Sequence, residues 1–223
     1  TIGHHPSHVH QADLLVYSTA VPTDNPELIE ANEKGVPVLH RSHLLGAVMQ
    51  QFPCSIGVSG TNGKGTVSAM LTHLLETAGL VPAFFIGAIC PNLGTNARAS
   101  NSKYIVAELD ESDGSLVNTH PNYAIINNLE VDHLNYYRDL DHIVQVILQF
   151  IDGMQPDGFL VVNGDDPGSI KLTQRISGRR IRTFGRSGCS MNYEILALSD
   201  TSSTFTLRWN AGGSTETNLG SFT

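Results

Sequence analysis

Short apolar runs punctuated by turn residues recur along the chain, and their character changes near residue 50. An apolar run at 14–17, a turn at 22–26, a helical pattern at 26–33 and a short apolar run at 36–39 predict one strand–helix–strand unit. A helical pattern at 43–49 follows, and 50–53 reads as the linker. From there strands are expected at 55–58, 83–86, 104–109, 123–126, 159–162 and 181–184, with helices at 66–78, 139–151 and 167–174. Their strands are continuously apolar, the pattern of a parallel sheet covered on both faces. After Gly188 the segments 193–198 and 204–209 alternate instead, as an antiparallel pair does. The Gly/Ser/Thr-rich stretch 212–223 carries no packing pattern, and with Thr1 at the start both ends are expected to be cut from something longer.

The 223 residues suffice for one large domain, or one domain and part of another. Hydrophobic residues make up 40% and charged residues 15%, an ordinary globular balance. A formal net charge of −8 argues against a nucleic-acid or anionic-membrane surface, which needs concentrated Lys and Arg. Three widely spaced cysteines, Cys54, Cys90 and Cys189, do not make a disulfide framework, and no signal peptide or membrane-length apolar run is visible. A cytoplasmic protein is expected.

The strongest chemical signal is Gly57-Val58-Ser59-Gly60-Thr61-Asn62-Gly63-Lys64-Gly65-Thr66, between an expected strand and an expected helix. Glycines let backbone N–H groups wrap a phosphate, the helix points its positive end at the anion, and a lysine neutralises the outer phosphates. The strict phosphate-loop pattern is not met: Val58 stands at the first glycine, and Gly65 follows Lys64 where a hydroxyl would hold Mg²⁺. The competing reading is a glycine-rich turn capping a helix. Because a phosphate-loop lysine reaches toward ligand rather than core, Lys64→Ala is expected to leave the fold intact.

Gly60-Thr61-Asn62-Gly63-Lys64 resembles the nucleotide loop of Mur ligases and of folylpolyglutamate synthetases. Three further segments narrow the resemblance to Mur ligases that act on UDP-N-acetylmuramate: 91–98 (PNLGTNAR), 108–115 (ELDESDGS) and 128–133 (NLEVDH). Gly3-His4 and the stretches 18–20 and 24–27 resemble the end of that family's UDP-binding domain. The resemblance implies an α/β fold: a mainly parallel sheet with flanking helices and a phosphate-binding loop over 51–223, preceded over 1–50 by a partial Rossmann-like domain. It implies an ATP-dependent ligase of peptidoglycan synthesis that adds L-alanine to UDP-N-acetylmuramate through an acyl phosphate. The rival readings are the murein tripeptide ligase of cell-wall recycling, which usually carries tyrosine where Ser112 stands, and a noncatalytic nucleotide-binding module. The isolated chain is expected to bind Mg-ATP without forming the amide.

Carried over residue by residue, the resemblance makes Gly60, Thr61, Asn62, Gly63, Lys64, Gly65 and Thr66 the ATP cradle, with Lys64, Glu108 and His133 catalytic. Thr66, Glu108 and His133 are the candidate Mg²⁺ ligands, although imidazole is an unusual ligand for so hard a cation. Asn96 and Arg98 are candidate contacts to the sugar nucleotide, Arg98 reading equally well as a solvated loop charge. Glu111 and Asp113 look family-typical, but turn chemistry accounts better for Asp113. Asp132 either orients His133 or starts a turn, and Glu130 shares that ambiguity. For His4, His5, His8 and His10 an exposed loop is favoured over a zinc site, and for Asp165-Asp166 a turn and helix cap over a metal site.

Overall fold

The structure, a computed structural model, describes residues 2–210 and 216–222. The N-terminal part forms β1 (Leu15–Tyr17), α1 (Pro26–Lys34) and β2 (Val38–His40), with β1 and β2 paired in parallel as a two-stranded sheet. Asn25 caps α1 through its side chain, Pro26 opens it, and Gly35 at φ 68° closes it. Helix α2 (Arg41–Met49) leads through 50–53 to the second sheet.

That sheet contains β3 (Cys54–Ser59), β4 (Ala83–Cys90), β5 (Thr95–Arg98), β6 (Tyr104–Glu108), β7 (Tyr123–Ile126), β8 (Phe159–Asn163), β9 (Arg180–Gly185), β10 (Met191–Leu198), β11 (Ser203–Asn210) and β12 (Glu216–Phe222). Its order is β12-β11-β10-β9-β8-β7-β3-β6-β4-β5, and the run from β10 to β4 is parallel throughout. Helix α3 (Lys64–Thr77) covers one face, packing Val67, Leu71 and Leu75 on Val58, Phe84, Ile86 and Val106. Helices α4 (Leu140–Gly153) and α5 (Pro167–Thr173) cover the other. In α4, Ile143, Val144, Ile147, Phe150 and Ile151 are all buried, each worth about 1.5–3 kcal/mol relative to exposure. Asp139 caps this helix by accepting from the His142 amide.

Three findings correct the sequence reading. The stretch taken as unpatterned contains β12, antiparallel to β11, with Phe222 stacked on Phe205 at 5.7 Å between ring centroids. Residues 211–215 and 223 of that stretch lie outside the described residues. The segment 95–98 is the antiparallel edge strand β5. Helix α3 starts at Lys64, two residues earlier than expected, because Gly63 at φ 79° supplies a left-handed N-cap.

Asp166 caps α5, accepting from the Ser169 amide at 2.7 Å and the Leu129 amide at 3.0 Å, so the reading of Asp165-Asp166 as a turn and cap holds. No helix among the described residues is long and apolar enough to cross a membrane. All three cysteines are free thiols.

The exposed histidines flank a short 3-10 helix (Pro6–Val9), and His4 and His8 each place Nδ1 on a Glu27 oxygen, at 2.7 and 2.6 Å. These hydrogen bonds, His4 first, hold the Glu27 carboxyl down at about 2. A depressed carboxyl stabilises the fold above its unfolded value, and that contribution is lost as pH falls from about 4.5 through about 2. Carboxyl ¹³C NMR is expected to give a Glu27 midpoint near 2 that returns toward 4.5 in the His4→Ala/His8→Ala double variant. A wild-type midpoint near 4.5 would contradict the arrangement.

Candidate functional site

The site lies where the chain reverses its progress across the sheet. From β3 the chain passes through α3 to β4 on one side, then crosses after β6 to β7 on the other. In open α/β sheets such a reversal opens a crevice at the carboxyl ends of the strands, and a ligand binds there. The residues that follow β3, β6 and β7 converge on it: the Gly60–Gly63 loop, Glu108 to Asp113, and Asn127 to His133.

The loop is clamped by the segment after β7. The Asn127 amide donates to Ser59 O at 3.0 Å, and the Thr61 amide donates to Asn128 O at 3.0 Å. Asn128 closes a two-way contact with Asn62, its Oδ1 accepting from the Asn62 amide at 2.8 Å and its side-chain amide donating to Asn62 O at 3.0 Å. Thr61 Oγ1 accepts from the Glu130 amide at 2.9 Å. Gly60 has φ 133°, and a Cβ there would lie 2.9 Å from Asn128 O and 3.1 Å from Asn127 N. Glycine is required both by conformation and by close approach. From sequence Asn128 entered as the start of the 128–133 resemblance, and neither Asn127 nor Asn128 was named as a site residue, although an Asn pair directly after a buried parallel strand was the available signal.

Lys64, at the first turn of α3, curls back over the loop. Its Nζ donates to Gly60 O at 2.9 Å and Thr61 O at 3.2 Å, and lies 2.8 Å from Oε2 of Glu111. The Lys64 side chain is 14% exposed and that of Glu111 only 2%. The contact with Glu111 is an ion pair without good hydrogen-bond alignment, and both carboxylate oxygens lack a hydrogen-bond partner. Burial pushes the Glu111 carboxyl up, opposed by Lys64. The expectation that Lys64 has no structural role is therefore corrected: it neutralises a buried carboxylate. Tyr137 donates its hydroxyl to the Glu111 carbonyl, fixing the backbone there, and burial raises the phenol.

A cleft of about 640 Å³ opens beside the loop, lined by Thr61 to Thr66, Met70, His73, 88–93 and Glu108. Oε2 of Glu108 accepts from the Gly87 amide at 2.6 Å. A Cβ on Gly65 would stand 3.3 Å from that oxygen, and one on Gly87 3.1 Å. The carboxylate thus occupies space left by two glycines, and among the described residues no cation pairs with it.

His133 is not among the residues lining this cleft. It has a positive φ of 52°, and its Nε2 lies 3.6 Å from Oε1 of Glu111 and 4.0 Å from Oδ2 of Asp132. It borders a neighbouring recess with Thr19, Arg41, Asp110, Ser112 and Asp113. Thr66 and Glu108 share the cleft, His133 stands beyond Glu111, and no cluster of three or more His, Cys, Asp or Glu among the described residues is arranged to hold a metal ion. Asn96 and Arg98 do not line the cleft either. Arg98 pairs with Glu76 at 2.5 Å, donates to Pro82 O and lies over the Phe84 ring. Asp113 does turn work, accepting from the Ser115 amide at 2.9 Å, and also accepts from the Thr19 hydroxyl. Burial raises its carboxyl, but these hydrogen bonds outweigh that and leave it lowered.

Strand, glycine loop and helix N-terminus converging on one cleft define an α/β protein of the glycine-loop type. The model of the Mur ligase middle domain matches residues 58–221, and that of the Mur ligase family catalytic domain matches residues 1–53. The chain belongs to the Mur ligase family. A relative from Renibacterium salmoninarum, named UDP-N-acetylmuramate–L-alanine ligase, is 42% identical over 200 residues, covering 89% of this chain and 42% of that protein. The crystal structure of UDP-N-acetylmuramate-alanine ligase from Thermotoga maritima superposes with TM-score 0.79 at 27% identity, over 98% of this chain and 49% of that one. The UDP-N-acetylmuramate:L-alanyl-gamma-D-glutamyl-meso-diaminopimelate ligase of Neisseria meningitides superposes with TM-score 0.83 over 98% of this chain and 70% of that one; at 24% identity it speaks for the fold alone. The chain spans less than half the length of the curated relatives it matches.

Proposed function

We propose that the chain is the ATP-binding part of a UDP-N-acetylmuramate:L-alanine ligase of peptidoglycan synthesis. In this reading 1–50 close a UDP-binding domain and 51–223 carry the nucleotide. The observation that carries it is the clamped Gly60–Gly63 loop with Lys64 at its end, facing a cleft that also holds the Glu108 carboxylate, with which no cation among the described residues pairs. Resemblance to the alanine ligases over most of the chain selects the substrates.

A free carboxylate is a poor electrophile. Transfer of the γ-phosphoryl group of ATP to the muramoyl carboxylate makes an acyl phosphate. Attack by the deprotonated amine of L-alanine then expels phosphate and leaves the amide, with ADP the other product. The protein's task is to position the reactants and neutralise charge. The Gly60 to Thr66 backbone would cradle the phosphates and Lys64 would take the outer ones. Glu108 and the Thr66 hydroxyl are oxygen donors that would hold Mg²⁺, whose charge would help to neutralise the phosphates. His133, carried over as a catalytic residue and Mg²⁺ ligand, stands beyond Glu111 at the neighbouring recess and would have to reach the phosphates from there. Asn96 is offered as a sugar-nucleotide contact, and Arg98 would join it only by leaving Glu76.

ADP release by the protein extended to the length of its relatives, with Mg-ATP, UDP-N-acetylmuramate and L-alanine, tests the reading. Turnover with alanine is expected, whereas the 223-residue chain alone is expected to bind nucleotide without forming amide. Turnover with murein tripeptide in place of alanine would move the protein to recycling. Nucleotide binding without turnover on either would make it a noncatalytic module.

A further inference from the structure

We propose that Glu111 is the resting counter-ion of Lys64, and that nucleotide binds by exchange: phosphate takes the lysine ammonium and releases the buried carboxylate. The inference rests on the nucleotide reading of the Gly60–Lys64 loop and adds a positioning residue to it.

An ammonium has three protons to donate. Nζ of Lys64 donates to Gly60 O and Thr61 O and lies against Oε2 of Glu111, so two of its protons are spent on the loop and its charge on Glu111. Of the three, only Glu111 carries charge, and it is the one with poor hydrogen-bond alignment. Breaking that contact sacrifices ion-pair attraction but no well-formed hydrogen bond. Both Glu111 oxygens are buried without a hydrogen-bond partner, which marks the carboxylate as incompletely satisfied. The two backbone carbonyls belong to the loop that wraps the ligand, so they hold the ammonium at the cleft while its contact with Glu111 is exchanged for phosphate.

A released Glu111 would be an uncompensated buried charge, so the exchange costs part of what the phosphate contact gains. Its other oxygen, Oε1, faces Nε2 of His133 at 3.6 Å. The positive-φ backbone of His133 is pinned by amides of Tyr136 and Tyr137 donating to its carbonyl at 2.8 and 2.9 Å. Glu111 therefore lies between the lysine of the nucleotide cleft and the histidine of the neighbouring recess, with one carboxylate oxygen toward each.

The test uses Glu111→Gln, which keeps the shape and removes the charge, and Glu111→Asp, which keeps the charge. Affinity of the 223-residue chain for ADP with Mg²⁺ is measured by calorimetry. Because Lys64 no longer leaves a buried ion pair, Glu111→Gln is expected to bind ADP roughly tenfold or more tighter, with Glu111→Asp close to wild type. Without ligand Glu111→Gln is expected to melt lower than wild type, and at saturating ADP the gap is expected to close. A purely structural Glu111 would give equal or weaker affinity in Glu111→Gln, and that result would overturn the inference while leaving the nucleotide reading standing. No ADP binding by wild type would overturn both.

Discussion

Lys64→Ala is expected to destabilise the folded chain by about 3 kcal/mol even without ligand, because it strands a buried carboxylate. For a domain of this size that corresponds to a fall in melting temperature of roughly 6–12 °C. Glu111 sits at 2% exposure against the lysine, and water reaches little of it. Protonation limits the loss, since burial already pushes the Glu111 carboxyl up and removal of Lys64 pushes it further. The same variant loses the cation proposed for the outer phosphates, so ADP affinity is expected to fall as well. The two effects separate by a second exchange: Glu111→Gln in the Lys64→Ala background is expected to recover most of the stability and none of the affinity. An unchanged melting temperature in Lys64→Ala would show that the ion pair contributes nothing.

Gly60→Ala is expected to be nearly as damaging, through the backbone rather than charge. The residue sits at φ 133°, a region reserved for glycine, and its new Cβ would lie 2.9 Å from the Asn128 carbonyl oxygen. That oxygen has no freedom to retreat, because it already accepts from the Thr61 amide while the Asn128 side chain grips Asn62 from both sides. A loss of about 2 kcal/mol in stability is expected, with at least a tenfold loss in ADP affinity as the loop amides move off their positions. Gly94→Ala is the control: φ is also positive, at 70°, but nothing lies within 4 Å of the added carbon. It is expected to cost only about 1 kcal/mol of conformational strain and to leave affinity unchanged if the loop clamp is what matters.

The middle of the parallel sheet was legible because β3 and β6 bury residues on both faces, while β7 and β8 keep a second face that is half-buried. Val58, Val106, Ala124, Ile126, Leu160 and Val162 are all interior, and a continuous apolar run has no other ready explanation. Helix α4 was legible from its Asp139 cap and its apolar stripe. What escaped was structure held by pairing rather than by burial. Strand β5 is four residues of Thr-Asn-Ala-Arg, polar and at the sheet edge, recognisable only from its partner β4. Strand β12 has half-exposed Leu219 and Phe222, and its Gly and Ser residues hide a register that β11 imposes. At the site, the loop and its lysine were readable from local spacing. The Glu111 contact was not, because it joins segments far apart in sequence and nothing in Asp-Glu-Ser-Asp says which acid is buried.

Helix α2 bears directly on backbone. A Cβ on Gly46 would come within 2.5 Å of Asn118 O, and Asn118 donates its side-chain amide to Ser42 on the same helix at 2.8 Å. Arg41 reaches Asp110 at 3.0 Å, and the Thr19 hydroxyl reaches Asp113. All of these attachments fall within the single segment 108–118 that begins with Glu108 and contains Glu111. A tilt of the two-stranded N-terminal unit against the large sheet would therefore pull on the segment that carries the acids beside the loop.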